Sequence, residues 1–362
     1  MSERTILLNP GPVTLSERVR AALGAGDWCH REPEFADLTR HINRALASVY
    51  AELAPRYEAV MLTGSGTAAV EAMLATFAPD TGGTLVLANG VYGERMARML
   101  KAHGKPHQLQ QQAWLEPLDL AAAISTLDRE PGITHLATVH HETTTGRLND
   151  LEAIGELCRS RGLQLLLDGV SSFGAERIRG DDWNLQAVAA TANKCLHAAP
   201  GISFVVASGE AWRAPAATAG SVYLDLRPYH AGQHTDGFSP FTQAVQVAFA
   251  LREALAELAE GGGWAERRET YLERARFIHA ALVENRVSSL LPIKDYSSIL
   301  WSYELPPERS YADLHAALKA AGFIIYAGQG QLAARVFRIA HMGDIGEDDL
   351  ARLAAAFSQA LS

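Results

Sequence analysis

Between positions 59 and 207 short apolar runs that stop at turn residues alternate with helix-patterned stretches. That alternation specifies an α/β domain built on a largely parallel sheet. The run at 59–63 breaks at Gly64-Ser65-Gly66-Thr67 and continues as an apolar helix. The run at 85–87 ends at Asn89-Gly90-Val91-Tyr92-Gly93, and the run at 133–139 ends at the polar series His140-His141-Glu142-Thr143-Thr144-Thr145-Gly146. A fourth run, 163–167, stops at Asp168, and a fifth, 202–206, follows Lys194. Sheets of this kind bind ligands at the carboxyl ends of their strands, where these polar clusters fall.

The flanking sequence reads more simply. A short strand within 5–15 runs into Asn9-Pro10-Gly11-Pro12, whose prolines forbid a helix. Leu38, Ile42, Leu46 and Val49 predict a packing helix over 37–54. After Gly209 the pattern loosens as far as Phe241, and its glycines, prolines and aromatics suggest a long functional loop. Helices are predicted at 242–258 and 267–284. A strand at 299–305, a helix at 311–321 stopped by Gly322, strands at 323–326 and 336–341, and a final helix follow. That last helix carries Glu347, Asp348 and Asp349 in its first turn and Leu350, Leu353, Phe357 and Leu361 on one face. The expected division is an amino-terminal segment, 1–20, near the active site, a large domain, 21–265, and a smaller α+β domain, 266–362.

Bulk properties then narrow the function classes. A formal charge of −9 over 362 residues argues against a general nucleic-acid or anionic-membrane binder. Cys29, Cys158 and Cys195 are widely spaced without a CxxC pair, so neither a disulfide framework nor a structural zinc site is indicated. No window reaches the ~18 apolar residues of a membrane span, and no secretion signal is visible. A cytoplasmic protein acting through a pocket is expected, with no nucleic acid and no membrane among its partners.

Asp168 at a strand end and Lys194 on a later turn can share one pocket. A lysine there suggests Schiff-base chemistry, and an acid facing a pyridinium nitrogen suggests pyridoxal phosphate. A buried ion pair is the plainer reading of the same two residues. Ser65, Gly66 and Thr67 can cradle a phosphate at a helix start, or simply permit a tight turn. Tyr92 can stack on a planar ring or cap the core edge. His140, His141 and Glu142 are poorly spaced for shared metal ligation, because neighbours on an extended chain point to opposite faces; no metal is expected.

Taken in order, LLNPGPV, REPEF (31–35), GSGTAAVEAML (64–74), NGVYGERM (89–96), HETTTGRLN (141–149), DGVSSFG (168–174), ANKC (192–195) and FRIAHMG (337–343) resemble the class V branch of the fold-type I pyridoxal-phosphate aminotransferases. In detail they are most similar to the 2-aminoethylphosphonate:pyruvate aminotransferases. The resemblance implies that Lys194 holds the cofactor and shuttles a proton, and that Asp168 keeps the pyridine nitrogen protonated. It implies that Val170 and Tyr92 sandwich the ring, and that Ser65, Gly66 and Thr67 hold the phosphate. Thr143 and Asn193 match polar contacts to the cofactor. Thr242 matches a residue that reaches the partner subunit's phosphate, implying a homodimer with shared active sites. Arg338 matches the arginine that forks onto the substrate's acidic end. Donor and acceptor are then a small amine and an oxo acid, 2-aminoethylphosphonate and pyruvate. Two stretches depart from the pattern: Thr242-Gln243-Ala244 stands for a threonine and two prolines, and Tyr326-Ala327-Gly328-Gln329 ends without the usual lysine. The alternatives are an alanine or serine:glyoxylate type enzyme, a cysteine desulfurase-like lyase, or a non-enzymatic cofactor-binding protein. No cysteine follows Cys195 to serve the lyase.

Overall fold

The computed structural model describes residues 4–215 and 217–361. Seven strands form the central sheet in the spatial order Tyr57–Thr63, Ile202–Ser208, Leu185–Thr191, Gln164–Asp168, His135–Val139, Thr84–Ala88, His107–Gln111. Only Ile202–Ser208 runs against its neighbours; the other four pairings in the sheet are parallel. Thr84–Ala88 and His135–Val139 are buried at every position, as strands covered on both faces must be.

The two-residue period of a strand divides these residues between the faces. Leu165 and Leu167 enter one hydrophobic cluster with Leu85, Leu87, Phe204 and the helix Pro33–Ala47. Leu166 enters the other, with Val86, Ala137, Val205 and the helices Gly66–Phe77 and Val91–Ala102. A third cluster surrounds the antiparallel sheet Leu300–Glu304, Val336–Ala340, Tyr326–Ala327, packed by Tyr311–Ala320, Glu347–Leu361 and the 22-residue helix Gly263–Glu284. That helix runs through the expected boundary between 265 and 266. Ile6–Leu7 pairs in parallel with Phe323–Ile324, and Ile6 and Leu8 are fully buried in this third cluster. The amino-terminal segment is thereby anchored at one end while Pro10 and Gly11 reach the central sheet.

Three expectations need correction. The stretch after Gly209 contains the helices Gly209–Arg213 and Leu226–Thr235 as well as loop. The second is capped by Asp225, whose carboxylate accepts from Arg227 N, and is tied to the outer strand by buried Gln233, which bonds both N and O of Met61. The predicted strand at 323–326 divides in two: Phe323–Ile324 pairs with the amino terminus and Tyr326–Ala327 with Val336–Ala340. His107–Gln111 and Leu185–Thr191 are strands with no counterpart in the sequence reading. Among the described residues no helix is long and apolar enough to cross a membrane.

Candidate active site

The apolar strand Gln164–Asp168 ends on Asp168 at the middle of the sheet, and His140 N holds the aspartate's carbonyl. The carboxylate is buried and accepts from Val170 N at 3.0 Å. Burial pushes its acid up to about 6, against the pull of the Val170 bond and the charges of Arg95 and Lys194. Beside it the Tyr57–Thr63 strand turns through Gly64 and Ser65 into the helix Gly66–Phe77. Ser65 has the extended backbone of a cap but its hydroxyl bonds no helix amide, so the start of the helix has no side-chain cap of its own. A Cβ on Gly66 would stand 2.6 Å from Val170, so only glycine lets the two turns approach this closely.

Arg95 completes this corner, and the sequence reading missed it. Its guanidinium lies 4.7 Å from the centre of the Tyr92 ring, and its Nη1 is 3.3 Å from Thr67 Oγ1. The available signal was spacing: Arg95 stands three positions after Tyr92 on one helix, hence on one face. A narrow cleft is lined by Thr67, Tyr92, Arg95, Asp168 and Val170.

Lys194 lies on the turn between Leu185–Thr191 and Ile202–Ser208. Its Nζ donates to the carbonyl of Pro10, from the amino-terminal segment. Gly11 there has φ +120°, and a Cβ on it would stand 2.7 Å from Lys194 Cδ. Burial lowers the amine to about 8; the nearby Arg338 charge acts in the same direction, while Cys195 and Asp168 oppose it. Asn193, one residue earlier, accepts from Thr191 Oγ1 at 2.8 Å.

Arg338 is buried in the Val336–Ala340 strand, with Nε on Ala327 O at 2.9 Å and Nη1 on Thr143 O at 2.8 Å. Both acceptors are uncharged, and no described carboxylate lies within ion-pair distance of it. The ion pair that would explain a buried arginine is therefore missing among the described residues, and an anionic ligand fits the place. Gln329, two residues past Ala327, keeps a buried Oε1 with no protein partner.

Glu142 is a second residue the sequence reading assigned no role. Its carboxylate accepts from Thr144 Oγ1 at 2.6 Å, Thr144 N at 3.2 Å, Tyr92 N at 3.2 Å and Gly93 N at 3.3 Å. It thus closes the amino terminus of Val91–Ala102 and fixes the backbone of Tyr92. Burial pushes this acid up to about 7, helped by the charge of Asp168 and opposed by the bonds from Thr144 and Gly93. His140 and His141 leave buried ring nitrogens without protein partners rather than joining Glu142 on a shared point. Thr143 is buried beside Arg338, whereas Thr242 is exposed, just ahead of the helix Val245–Glu260. The structure thus brings Ser65, Gly66, Thr67, Tyr92, Thr143, Asp168, Val170, Asn193 and Lys194 to the carboxyl ends of the central strands, with Arg338 against Thr143, and leaves Thr242 exposed.

These residues fit pyridoxal phosphate: a cationic helix start for phosphate, an aromatic and a valine for the ring, a buried acid, and an amine of lowered pKa. A family model described as aminotransferase class-V matches residues 36–329. The 2-aminoethylphosphonate–pyruvate transaminase of Pseudomonas putida (strain GB-1) is 34% identical over all of this chain and 98% of its own length. That of Aeromonas hydrophila is 36% identical over 94% of this chain and 90% of its own. The crystal structure of alanine–glyoxylate aminotransferase from Nostoc sp. superposes with a TM-score of 0.90 at 27% identity, covering 100% of this chain and 96% of that one. Matched along its full length in sequence and in fold, the chain belongs to the class-V aminotransferases, enzymes that depend on pyridoxal phosphate.

Proposed function

We propose that this aminotransferase takes the amino group from 2-aminoethylphosphonate and gives it to pyruvate, forming phosphonoacetaldehyde and L-alanine. The observation that carries the reading is Arg338: a buried guanidinium offered to the site without an acidic partner of its own. Its planar donors suit both the phosphonate of the donor and the carboxylate of pyruvate. The full-length similarity to relatives named for this reaction supports the choice of donor.

Pyridoxal phosphate supplies an electron sink that stabilises negative charge at the substrate carbon bearing nitrogen. The chain's own residues do the rest. Ser65, Gly66 and Thr67, with Arg95 beside them, would hold the phosphate; Tyr92 and Val170 would flank the ring; Thr143 and Asn193 would meet its polar groups. The negative charge of Asp168 would keep a proton on the pyridine nitrogen. Lys194 would hold the cofactor through Nζ, and the same nitrogen, once free, would serve as the base that moves the proton of the substrate carbon. An amine lowered to about 8 is partly neutral near pH 7, as a base requires. Arg338 fixes the acidic end so that the scissile C–H faces Lys194.

Thr242 reaches across to a second subunit in this reading, making the working form a homodimer with shared active sites. Its exposure in the single chain is compatible with that role. The segment 1–20 supplies Pro10 and Gly11 to the site, and 21–265 and 266–362 form the large and small domains, joined through Gly263–Glu284. A second reading, alanine:glyoxylate transfer, is favoured by one observation: Gln329 places a neutral amide where a lysine would add charge for a phosphonate. Absorbance of the cofactor-loaded protein tests the chemistry. A visible band present in wild type, absent in Lys194→Ala and bleached by 2-aminoethylphosphonate is expected. A band that survives Lys194→Ala overturns the assignment of the lysine.

A further inference from the structure

Three side chains on the far side of the large domain converge without a part in this chemistry. His230 and His234 stand four residues apart on the helix Leu226–Thr235, one turn apart on one face. Glu58 comes from the outer strand Tyr57–Thr63 that the helix packs on. One nitrogen of each imidazole and one oxygen of Glu58 all lie within 4.8 Å of one another. None of the three borders the cleft of Tyr92 and Asp168.

Plainer contacts account for the side chains singly. His230 Nε2 is 2.6 Å from Glu58 Oε2, and its ring stacks on Trp212 at 4.3 Å. His234 Nε2 is 3.0 Å from Ala59 O. Those contacts also suit a metal site. A backbone carbonyl on one nitrogen of an imidazole is the usual outer partner of a metal-binding histidine, because it fixes the ring and leaves the other nitrogen its lone pair. Stacking on Trp212 limits rotation of the His230 ring. Arg227, the neighbouring cation, has Nη1 engaged by the carbonyls of Trp212 and Ala214.

We propose that Glu58, His230 and His234 bind a divalent transition metal of the zinc type. Tetrahedral ligands at about 2.1 Å from zinc lie roughly 3.4 Å apart. The 2.6 Å contact must open by under ~1 Å, and no separation need close by more than ~1.4 Å, which rotation of the Glu58 side chain supplies. Two imidazoles and a carboxylate select zinc or cobalt over calcium or magnesium, which prefer all-oxygen sets, and leave a fourth position for water. The ion fastens the short helix to the sheet edge and stabilises the fold by binding only the native form.

The test uses cofactor-loaded enzyme stripped with chelator, then titrated with Zn2+ and, separately, Co2+. Expected are one equivalent of zinc by equilibrium dialysis, a chelator-reversible rise in melting temperature, and the visible d–d absorbance of tetrahedral cobalt. His234→Gln and Glu58→Gln are expected to weaken binding at least ~10-fold while leaving the cofactor band and transamination unchanged. Wild type without a stoichiometric equivalent, without the cobalt band, or with binding equal in both variants overturns the site. The wild-type measurements decide the matter even if a variant folds poorly.

Discussion

At the scale of single residues the site is a set of buried charges held out of balance. Lys194 donates to a carbonyl instead of a carboxylate, and burial brings its amine down to about 8. In cofactor-free protein the neutral fraction therefore rises through pH 8, well below the range of an ordinary lysine. Peptide mapping after reaction with an amine-directed reagent should find Lys194 half-modified near that pH, with other lysines lagging. Arg338→Lys keeps the charge but loses the planar fork, and kcat/KM for the amino donor should fall by roughly 10- to 100-fold. Gly11→Ala places a methyl group against Lys194 at a φ of +120°, where side chains are strained. A stability loss of about 1–3 kcal/mol by denaturant titration is expected, with slower transamination.

At the scale of elements, Glu142 shows how one buried acid organises two segments. It closes the start of Val91–Ala102 and so sets Tyr92, and Gly90 is needed because a Cβ there would run into its carboxyl group. Glu142→Gln should cost about 1–3 kcal/mol. The pH sense follows from the acid being pushed from 4.5 up to about 7: the folded protein holds a proton there that the unfolded chain has lost, so this group's contribution declines as pH rises from 4.5 to 7. The glutamine has no such slope. The gap between wild type and variant should therefore narrow between pH 5 and 8 in urea titrations. Such elements were unevenly legible. Gln164–Asp168 and Ile202–Ser208 were visible because both faces are covered and their sequences are continuously apolar. His107–Gln111 was not, being a polar edge strand, and Leu185–Thr191 hides behind three alanines of weak strand preference. Asp168 and Lys194 stood out by their places at a strand end and a turn. Glu142 and Arg95 act through partners on other segments, Tyr92 N and Thr67 Oγ1, and no local pattern announces such pairings.

At the scale of the whole molecule, His135, His140, His141 and His341 are buried and His197 is half-buried, and in all five burial disfavours the charged form. His135 and His341 are lowered to about 4 and His140 to about 3, while His141 and His197 are pushed well below the usual value, all by burial. The unfolded chain binds protons at these sites near pH 6.5 and the folded protein does not, so stability is lost as pH falls from 6.5 toward 4. Asp168 and Glu142 act in the opposite sense but are outnumbered, and the melting temperature should drop steeply across that window. In the proposed reading substrate is also chosen at this scale, since Arg338 and Gln329 come from the small sheet and its loop while Lys194 and Asp168 come from the large one. The direct test supplies purified, cofactor-loaded enzyme with 2-aminoethylphosphonate and pyruvate and measures L-alanine. Alanine formed in step with phosphonoacetaldehyde, and lost in Lys194→Ala, is the predicted result; turnover of alanine with glyoxylate while 2-aminoethylphosphonate is left untouched would contradict it.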